Sequence, residues 1–266
     1  MRIFWTTDIH LNFLKSKEID QFISNINSEF PDALLIGGDI GEAPTVCNYL
    51  LYLRKGLKCP VYFVLGNHDY YHGSFSEVNG NVQKIAGSSE HLFFLDDLAP
   101  IELDKKTALL GHGCWADSRF GDYANSTVML NDYLLIKDFA GLGKEMRLKK
   151  LRELGDSAAE KIENKLVAAF RKYPQVVLLT HVPPFKESCW HKGKMSDDDY
   201  LPHFSCKAAG DAMIRVMRLR PESYLTVLCG HTHSPGRIMV LENLEVITGS
   251  SDYGRPEIQE LKMQKE

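Results

Sequence analysis

The sequence has no Cys-x-x-Cys pair, no internal repeat, no low-complexity linker and no apolar run long enough to cross a membrane. Its 6 cysteines are scattered, which favours free thiols in a reducing compartment over a disulfide framework. Asp8, the first polar residue of interest, follows the amino terminus too closely to leave room for a secretory signal peptide. We therefore expect a cytoplasmic protein with no membrane partner.

Excess positive charge is also lacking. The 266 residues carry a formal net charge of -4, so there is no broad basic field to hold a nucleic-acid backbone, although metals and a local patch could still bind one. The hydrophobic and charged fractions, 44% and 25%, are typical of a soluble globular protein. We interpret residues 1–266 as one domain, because polar groups spread from Asp8 to His233 are predicted to form a single site.

Short apolar runs alternate with amphipathic stretches along the first part of the chain. Strands at 2–7, 33–37 and 60–65 are separated by helices near 16–29 and 43–55. This βαβαβ order predicts a parallel sheet with helices on its faces. Further helices are predicted near 74–87 and 206–219, and further strands at 91–95, 101–103, 107–111, 176–180, 225–229, 236–240 and 244–248.

Five groups of acid, asparagine and histidine residues each follow an apolar run, at the point where a strand would end. They are Asp8-Ile9-His10, Gly38-Asp39, Gly66-Asn67-His68-Asp69, Thr180-His181 and Gly230-His231-Thr232-His233. Because open α/β sheets bind ligands at the carboxyl ends of their strands, we expect these groups to meet in one site. Aspartate, asparagine and histidine without cysteine suit divalent ions such as Mn²⁺, Fe, Zn²⁺, Co²⁺ or Ni²⁺.

The number of these donors exceeds what one ion needs, which predicts two ions. Asp8 and His10 lie two residues apart, so in extended chain both side chains point to the same side; His231 and His233 repeat that spacing. Asp39, after the second buried strand, is the candidate bridge between the ions. A single buried histidine is usually a core residue and Asp8 alone could cap a helix. The joint placement favours metal ligands, because burying several acids and imidazoles without an ion is costly.

The ordered pattern D-x-H, G-D, G-N-H-D, H and G-H-x-H resembles that of the calcineurin-like metallophosphoesterase superfamily. The resemblance implies an α/β fold of four layers, an α-β-β-α sandwich with two mixed β-sheets flanked by helices and the metal site at the carboxyl ends of the strands. It implies a first ion held by Asp8, His10, Asp39 and His233. It implies a second ion held by Asp39, Asn67, His181 and His231.

The resemblance also implies the chemistry. A hydroxide that bridges the ions would attack a small phosphomonoester or phosphodiester, His68 would be the general acid, and Asp69 would brace the loop that carries His68. Two other classes of function stay open: a manganese-dependent nuclease of the same superfamily, and a catalytically silent scaffold on this fold. A scaffold should have lost ligands or His68, whereas this chain keeps them.

Two departures narrow the subfamily. Glu42 stands where purple acid phosphatases place a tyrosine, which disfavours a ferric–tyrosinate site. Asp69 stands where protein serine/threonine phosphatases have glutamate, and the stretch after Asp39 lacks their G-D-x-x-D-R-G motif. Glu42 could hydrogen-bond His68 or be an exposed residue at a helix start, and both interpretations stay open.

Three segments between the predicted strands are long. A charged helix is predicted from Lys144 to Tyr173, and Gly155-Asp156-Ser157 could break it in two. The loop at 183–203 is the favoured wall of the substrate pocket, with Trp190 or Lys192 within reach of the leaving group, because long loops rich in aromatic and basic residues are usually functional or disordered. The loop at 112–125 is the second candidate. Trp115 and Trp190 could instead pack these loops onto the body.

Overall fold

The computed structural model describes residues 1–262. In chain order the strands are β1 (Ile3–Thr6), β2 (Ala33–Gly37), β3 (Val61–Val64), β4 (Leu92–Phe94), β5 (Ile101–Glu102), β6 (Thr107–Gly111), β7 (Gln175–Leu179), β8 (Trp190–His191), β9 (Lys194–Met195), β10 (Tyr224–Cys229), β11 (Gly236–Leu241), β12 (Leu244–Thr248) and β13 (Gln259–Leu261). The helices are α1 (Ser16–Ser28), α2 (Val46–Gly56), α3 (Phe75–Gly87), α4 (Asp132–Leu135), α5 (Lys144–Ala169), α6 (Leu201–Phe204) and α7 (Lys207–Arg218).

Two large mixed sheets form the centre of the molecule. The first has the strand order β13-β1-β2-β3-β4, in which β13 is antiparallel to β1 and the other pairs are parallel. The second has the order β11-β12-β10-β7-β6-β5, with antiparallel pairs at its two edges. The predicted parallel core and the closing hairpin at β11–β12 are therefore confirmed.

Alternation along the strands explains how the layers stack. In β1, Ile3 and Trp5 point towards the second sheet and join a core shared with Leu179 of β7 and Leu228 of β10. Phe4 points the other way, into the core beneath α1, α2 and α3. A third core lies between the second sheet and helices α5 and α7. The result is the predicted α-β-β-α sandwich.

Helix α5 runs unbroken through Gly155, so the possible break at Gly155-Asp156-Ser157 does not occur. The reason for the glycine is packing. A side chain at position 155 would overlap the Cβ of Asp117, because the loop after β6 crosses α5 at this point. A helix tolerates one interior glycine at a cost of about 1 kcal/mol relative to alanine, which the surrounding helical turns can absorb.

No helix within residues 1–262 combines the length and the apolar character that a membrane crossing requires.

Candidate metal centre

Strand register brings the polar groups together. Thr6 pairs with Ile36 at the end of β1 and β2, so the chain continues with Asp8 N–H donating to Gly38 O (3.0 Å) and His10 N–H donating to Asp39 O (2.8 Å). In the second sheet, Gly230 N–H donates to His181 O (2.9 Å) in the same way beyond the ends of β10 and β7. Both sheets thus deliver their polar loops to one edge of the sandwich.

The backbone at this edge is strained. Positive φ angles, uncommon for residues other than glycine, occur at five of the predicted ligands: Asp8 (52°), His10 (40°), Asp39 (51°), His231 (69°) and His233 (60°). Such conformations cost free energy and persist where the surrounding structure enforces them, which is typical of functional sites.

The first predicted ligand set converges. One potential ligand atom from each of Asp8, His10, Asp39 and His233 lies within 4.8 Å of the others. His10 Nε2 is 3.4 Å from His233 Nε2, and His233 Nε2 is 3.4 Å from Asp8 Oδ1. His10 Nε2 is 3.7 Å from Asp39 Oδ2. This buried Asp/His cluster has the composition and spacing of a site that could bind a divalent ion.

The second predicted set lies on the other side of Asp39. Asp39 Oδ1 is 3.5 Å from His181 Nε2, which is itself 2.9 Å from Asn67 Oδ1. The ring of His231 lies beside that of His181, with 5.0 Å between centroids. The two oxygens of Asp39 therefore face the two sets separately, as a bridging carboxylate would.

Hydrogen bonds on the far side of each ring fix the tautomers of His181 and His231. Nδ1 of His181 is 2.8 Å from Gly37 O, and Nε2 of His231 is 3.3 Å from His203 O. A carbonyl oxygen only accepts, so these nitrogens carry the protons. The lone pairs on His181 Nε2 and His231 Nδ1 are left free, which is the arrangement that metal-binding histidines show.

The contact between Asn67 and His181 tests whether a cation fits. The amide nitrogen of Asn67 donates to Asp132 Oδ1 (2.8 Å), so the amide oxygen must face His181. That places two lone pairs 2.9 Å apart with no proton between them. Burial lowers the pKa of His181, which keeps the ring neutral rather than protonated. A shared cation would turn this repulsion into attraction, so the residues fit a divalent ion.

The pKa values of the cluster also favour a site for a cation. Burial, with the neighbouring carboxylates of Asp8 and Asp69, raises the pKa of Asp39 well above its usual range. Burial also lowers the pKa of His10 to about 2 and that of His231 to about 3. The neutral imidazoles are in the form that a metal ion requires, and a cation beside Asp39 would favour the ionised carboxylate that a ligand needs.

His68 and Asp69, the two predicted catalytic residues, contact the surroundings of Asp39 in different ways. His68 N–H donates to Asp39 Oδ1 (2.9 Å), and its ring stacks on Tyr71 with its Nε2 3.9 Å from Asp39 Oδ2. Burial lowers the pKa of His68 to about 3. Asp69 accepts three backbone N–H groups at 2.9 Å each, from Ile40, Gly41 and Gly66. Its carboxylate ties the His68 loop to the loop after β2.

The carboxylate of Glu42 contacts His72 and Asn12. Its Oε2 lies 3.8 Å from His72 Nε2, and its Oε1 accepts from Asn12 Nδ2 at 3.4 Å. The side chain is about one-third exposed. Of the two interpretations of Glu42, these contacts favour a partly exposed residue shortly before α2 over the partner of His68.

A cavity of about 440 Å³ opens onto the cluster. Asp39, Asn67, His68, His231 and His233 reach it from the predicted ligand loops. Its other walls include residues that the sequence did not mark, namely Tyr71, Leu130, Asn131, Asp132, Phe204, Asp252 and Tyr253. Tyr253 is half exposed and stands 4.5 Å from His10 and 5.0 Å from His233, measured between ring centroids.

The loop at 183–203 contributes a fixed hairpin to this cavity. Strands β8 and β9 pair around Lys192 and Gly193, both with positive φ. Lys192 N–H donates to Ser234 Oγ (2.9 Å), so the hairpin tip is attached to the His233 loop. His191 and Lys192 line the cavity. Trp190 does not line it.

The second candidate loop, at 112–125, has another role. Its Trp115 is buried and contacts Phe75 (5.0 Å between centroids), Phe139 (5.7 Å) and Tyr70 (5.9 Å). No residue of this loop lines the cavity within residues 1–262. Packing onto the body, one of the two interpretations of Trp115, is what the structure shows.

The stacked mixed sheets and the Asp/His cluster at their shared edge are features of a dimetal phosphoesterase fold. The chain belongs to the calcineurin-like phosphoesterase family, whose model matches residues 1–235. A probable cyclic nucleotide phosphodiesterase of Pseudoalteromonas sp. (strain SM9913) is 34% identical over 82 residues, which are 26% of this chain and 31% of that protein. The aligned regions thus span only 21% to 31% of the length of such curated relatives.

Solved structures resemble the whole fold. The phosphopantetheinyl hydrolase of Mycobacterium tuberculosis has a TM-score of 0.67 at 15% identity, over 95% of this chain and 90% of that one. A dimetal phosphatase of Danio rerio has a TM-score of 0.52 at 13% identity, over 93% and 86% of the two chains. At these identities the likeness establishes the architecture.

Proposed function

We propose that the protein is a binuclear metal-dependent phosphohydrolase that cleaves a small phosphate ester. The observation that carries the proposal is the position of Asp39 between two converging donor sets. One oxygen lies 3.7 Å from His10 Nε2 and the other lies 3.5 Å from His181 Nε2. Asp8, His10, Asp39 and His233 would hold the first ion. Asp39, Asn67, His181 and His231 would hold the second.

In the proposed hydrolysis, the two ions and the residues of the protein would have separate roles. Two divalent ions would supply positive charge at the phosphoryl oxygens and a water of lowered pKa as nucleophile. The chain binds the ester in the cavity and holds it against the Asp/His cluster. His68 is the proposed proton donor to the leaving oxygen, since it lines the cavity beside Asp39.

The acid role sets a condition on the substrate. Burial lowers the pKa of His68 to about 3, so the ring is neutral at neutral pH in the ion-free chain. A phosphate anion beside the ring favours the protonated form and raises that pKa. The donor role therefore requires a substrate phosphate whose charge outweighs the burial of the ring and the charge of the two proposed ions. Asp69 is a positioning residue that keeps the His68 loop against Asp39 through its three N–H contacts.

The cavity walls favour an ester with an organic group of moderate size. Lys192 is the one lysine or arginine among the described residues that line the cavity. Tyr71, Phe204 and Tyr253 add aromatic surface. A single cation with aromatic rings suits one phosphate that carries a ring or short chain, whereas a nucleic-acid backbone needs several cations along a groove. This favours the small ester over the nuclease alternative.

The similar proteins include a probable cyclic nucleotide phosphodiesterase and a phosphopantetheinyl hydrolase, so a phosphodiester is tested beside a phosphomonoester.

The prediction of a single domain over residues 1–266 stays a prediction, and residues 263–266 lie outside the described part of the chain. Polar groups from Asp8 to His233 that meet at one sheet edge support it.

The test is metal analysis combined with substrate comparison. Chelator-treated protein is reloaded with Mn²⁺, Fe²⁺, Zn²⁺, Co²⁺ or Ni²⁺, and bound ions are counted. Turnover is then measured on bis(p-nitrophenyl) phosphate, p-nitrophenyl phosphate and single-stranded DNA. Two ions per chain and turnover of either small ester support the proposal. Faster turnover of DNA would favour the nuclease. Two ions with no turnover of any substrate would favour the silent scaffold.

A further inference from the structure

Asn67 is held by a residue that does not belong to the five polar groups predicted at the strand ends. Its amide nitrogen donates to Asp132 Oδ1 (2.8 Å), and the same oxygen accepts from the hydroxyl of Tyr71 (2.7 Å). Asp132 is the first residue of α4 and is only 4% exposed. Since the amide nitrogen is committed to Asp132, the amide oxygen can face only His181, so Asp132 fixes which end of Asn67 enters the site.

The next residue of α4 supports another proposed ligand of the second ion. The Tyr133 hydroxyl lies 2.6 Å from His203 Nδ1, and Ser126 Oγ lies 3.0 Å from His203 Nε2. The buried His203 is thereby held in place, and its backbone carbonyl accepts from His231 Nε2 (3.3 Å). Adjacent residues of one short helix therefore reach Asn67 and His231 by separate routes.

The first-ion set is supported differently. Asp8 accepts from Thr7 Oγ1 (2.6 Å) and from the backbone N–H of His231 (3.0 Å), and its carbonyl accepts from Ser251 (2.6 Å). These partners belong to the strand-end loops. Within residues 1–262, no hydrogen bond joins α4 to Asp8, His10 or His233.

We propose that Asp132 is a positioning residue which, with Tyr71, orients Asn67 and so sets the affinity of the second ion without affecting the first. The inference rests on the proposed ligand sets and adds a division between them. The first ion is held by the sheet edges, whereas the second depends on α4, which lies in the connection between β6 and α5. Partners that orient metal ligands typically change metal affinity by about 10- to 100-fold when they are replaced.

Two other roles for Asp132 would give a different outcome. Asp132 could support only the fold, or it could attract the ion only by its charge. Asp132→Asn separates charge from positioning, because an asparagine oxygen can still accept from Asn67 and Tyr71 while the charge is gone. Asp132→Ala removes both. Asp117→Asn is the control for fold support, because Asp117 is fully buried and accepts from Ala208 N–H and Arg119 rather than from a proposed ligand.

The experiment titrates chelator-treated protein with Mn²⁺ while free Mn²⁺ is followed by electron paramagnetic resonance, which also detects the spin-coupled signal of an ion pair. Thermal unfolding of each ion-free variant checks that it folds. We expect two ions in the parent chain. In Asp132→Ala, Kd for the second ion should rise about 10- to 100-fold. Kd for the first ion should stay within about twofold of the parent value. The spin-coupled signal of the ion pair should therefore appear only at a correspondingly higher Mn²⁺ concentration. Asp132→Asn should recover most of the loss, and Asp117→Asn should bind both ions like the parent.

The remaining outcomes count against the inference. Equal weakening of both ions in Asp132→Ala, or a second-ion loss in Asp117→Asn as large as in Asp132→Ala, would mean a general effect on the fold. An Asp132→Asn variant as weak as Asp132→Ala would mean that charge rather than positioning matters. If Asp132→Ala does not fold, titrations of Asp132→Asn and Tyr71→Phe test the inference instead. A positioning role predicts that both variants bind the second ion more weakly than the parent, by less than expected for Asp132→Ala, while the first ion is unaffected. A parent chain that binds fewer than two ions would overturn the proposed function together with this inference, whereas two ions with no selective loss would overturn the inference alone.

Discussion

Trp190 lies directly against the backbone of Gly236, so that a Cβ at position 236 would overlap the indole ring. This contact joins the hairpin β8–β9 to the start of β11. It leaves Lys192, two residues after Trp190, at the hairpin tip with its N–H bonded to Ser234. The sequence predicted that Trp190 or Lys192 would reach the substrate, and the structure divides these roles between an anchor and a tip.

The first prediction concerns this anchor. Gly236→Ala should displace the hairpin and change the ratio of kcat/KM between p-nitrophenyl phosphate and bis(p-nitrophenyl) phosphate by about tenfold, the equivalent of one charge-assisted hydrogen bond. Bound metal should stay at the parent level, since no predicted ligand lies on the hairpin. Gly80→Ala is the control, because a Cβ at Gly80 meets nothing within 4 Å. An unchanged ratio in Gly236→Ala would show that the hairpin does not select the substrate.

The second prediction concerns the bridge. Asp39→Asn removes a negative charge from between the two donor sets, so it should abolish turnover and release at least one ion. Asp69→Asn is the matched comparison, because Asp69 is equally buried but uses its oxygens on three backbone N–H groups. It should keep both ions. Metal counting by mass spectrometry checks both variants, and an Asp39→Asn protein with two ions and near-parent turnover would remove Asp39 from the bridge.

Strand periodicity in the sequence predicted the parallel strands and the edge where the site residues meet, whereas the four layers were implied by the family resemblance. Asp8 and Asp39 each follow an apolar run, so their meeting follows from the parallel pairing of β1 with β2. His181 follows a strand of the second sheet and joins them because the two sheets stack. Asp132 could not be found in this way. Helix α4 has only four residues and therefore no readable period, and its contact with Asn67 joins positions 65 apart in the chain.

Gly155 and Tyr253 also make contacts that the sequence pattern could not predict. Asp117 occupies the space that a side chain at position 155 would need, which explains the glycine inside α5. The two residues are too far apart in the chain for a local sequence pattern to show this contact. Tyr253 meets His10 through the loop between β12 and β13, and β13 itself was not predicted. Contacts set by tertiary placement carry no periodic signal in the sequence.

The third prediction concerns His68. His68→Ala should lower turnover by about 10²- to 10⁴-fold, the usual contribution of a general acid. The loss should be smaller for esters with good leaving groups such as p-nitrophenolate, because their departure needs less protonation. Bound metal should not change, since the ring is outside both proposed ligand sets. Rates across a series of leaving groups test this. An equal loss for good and poor leaving groups would favour a role in substrate binding.

The fourth prediction is a pH dependence of stability that arises outside the site, at His112. Burial lowers the pKa of His112 below its ordinary value of 6.5; Asp96 opposes this shift, and Lys161 and Lys165 add to it. The folded chain therefore resists protonation of this ring, whereas the unfolded chain takes up a proton near pH 6.5. Because this ring binds more protons in the unfolded state below that pH, the contribution of His112 to the free energy of unfolding falls as the solution is acidified.

The size and test of this effect follow from the same linkage. His112 Nδ1 accepts from Cys114 N–H (2.9 Å), and an asparagine oxygen can take over that bond, so His112→Asn removes the titrating ring with little loss of contact. In chelator, the free energy of unfolding of the variant relative to that of the parent should rise from pH 7.5 to pH 5.5, by up to about 1 kcal/mol per pH unit. Urea unfolding across this range measures both slopes. Parallel slopes would show that His112 titrates alike in the folded and unfolded chains, and a steeper slope in the variant would reverse the sign argued from its burial.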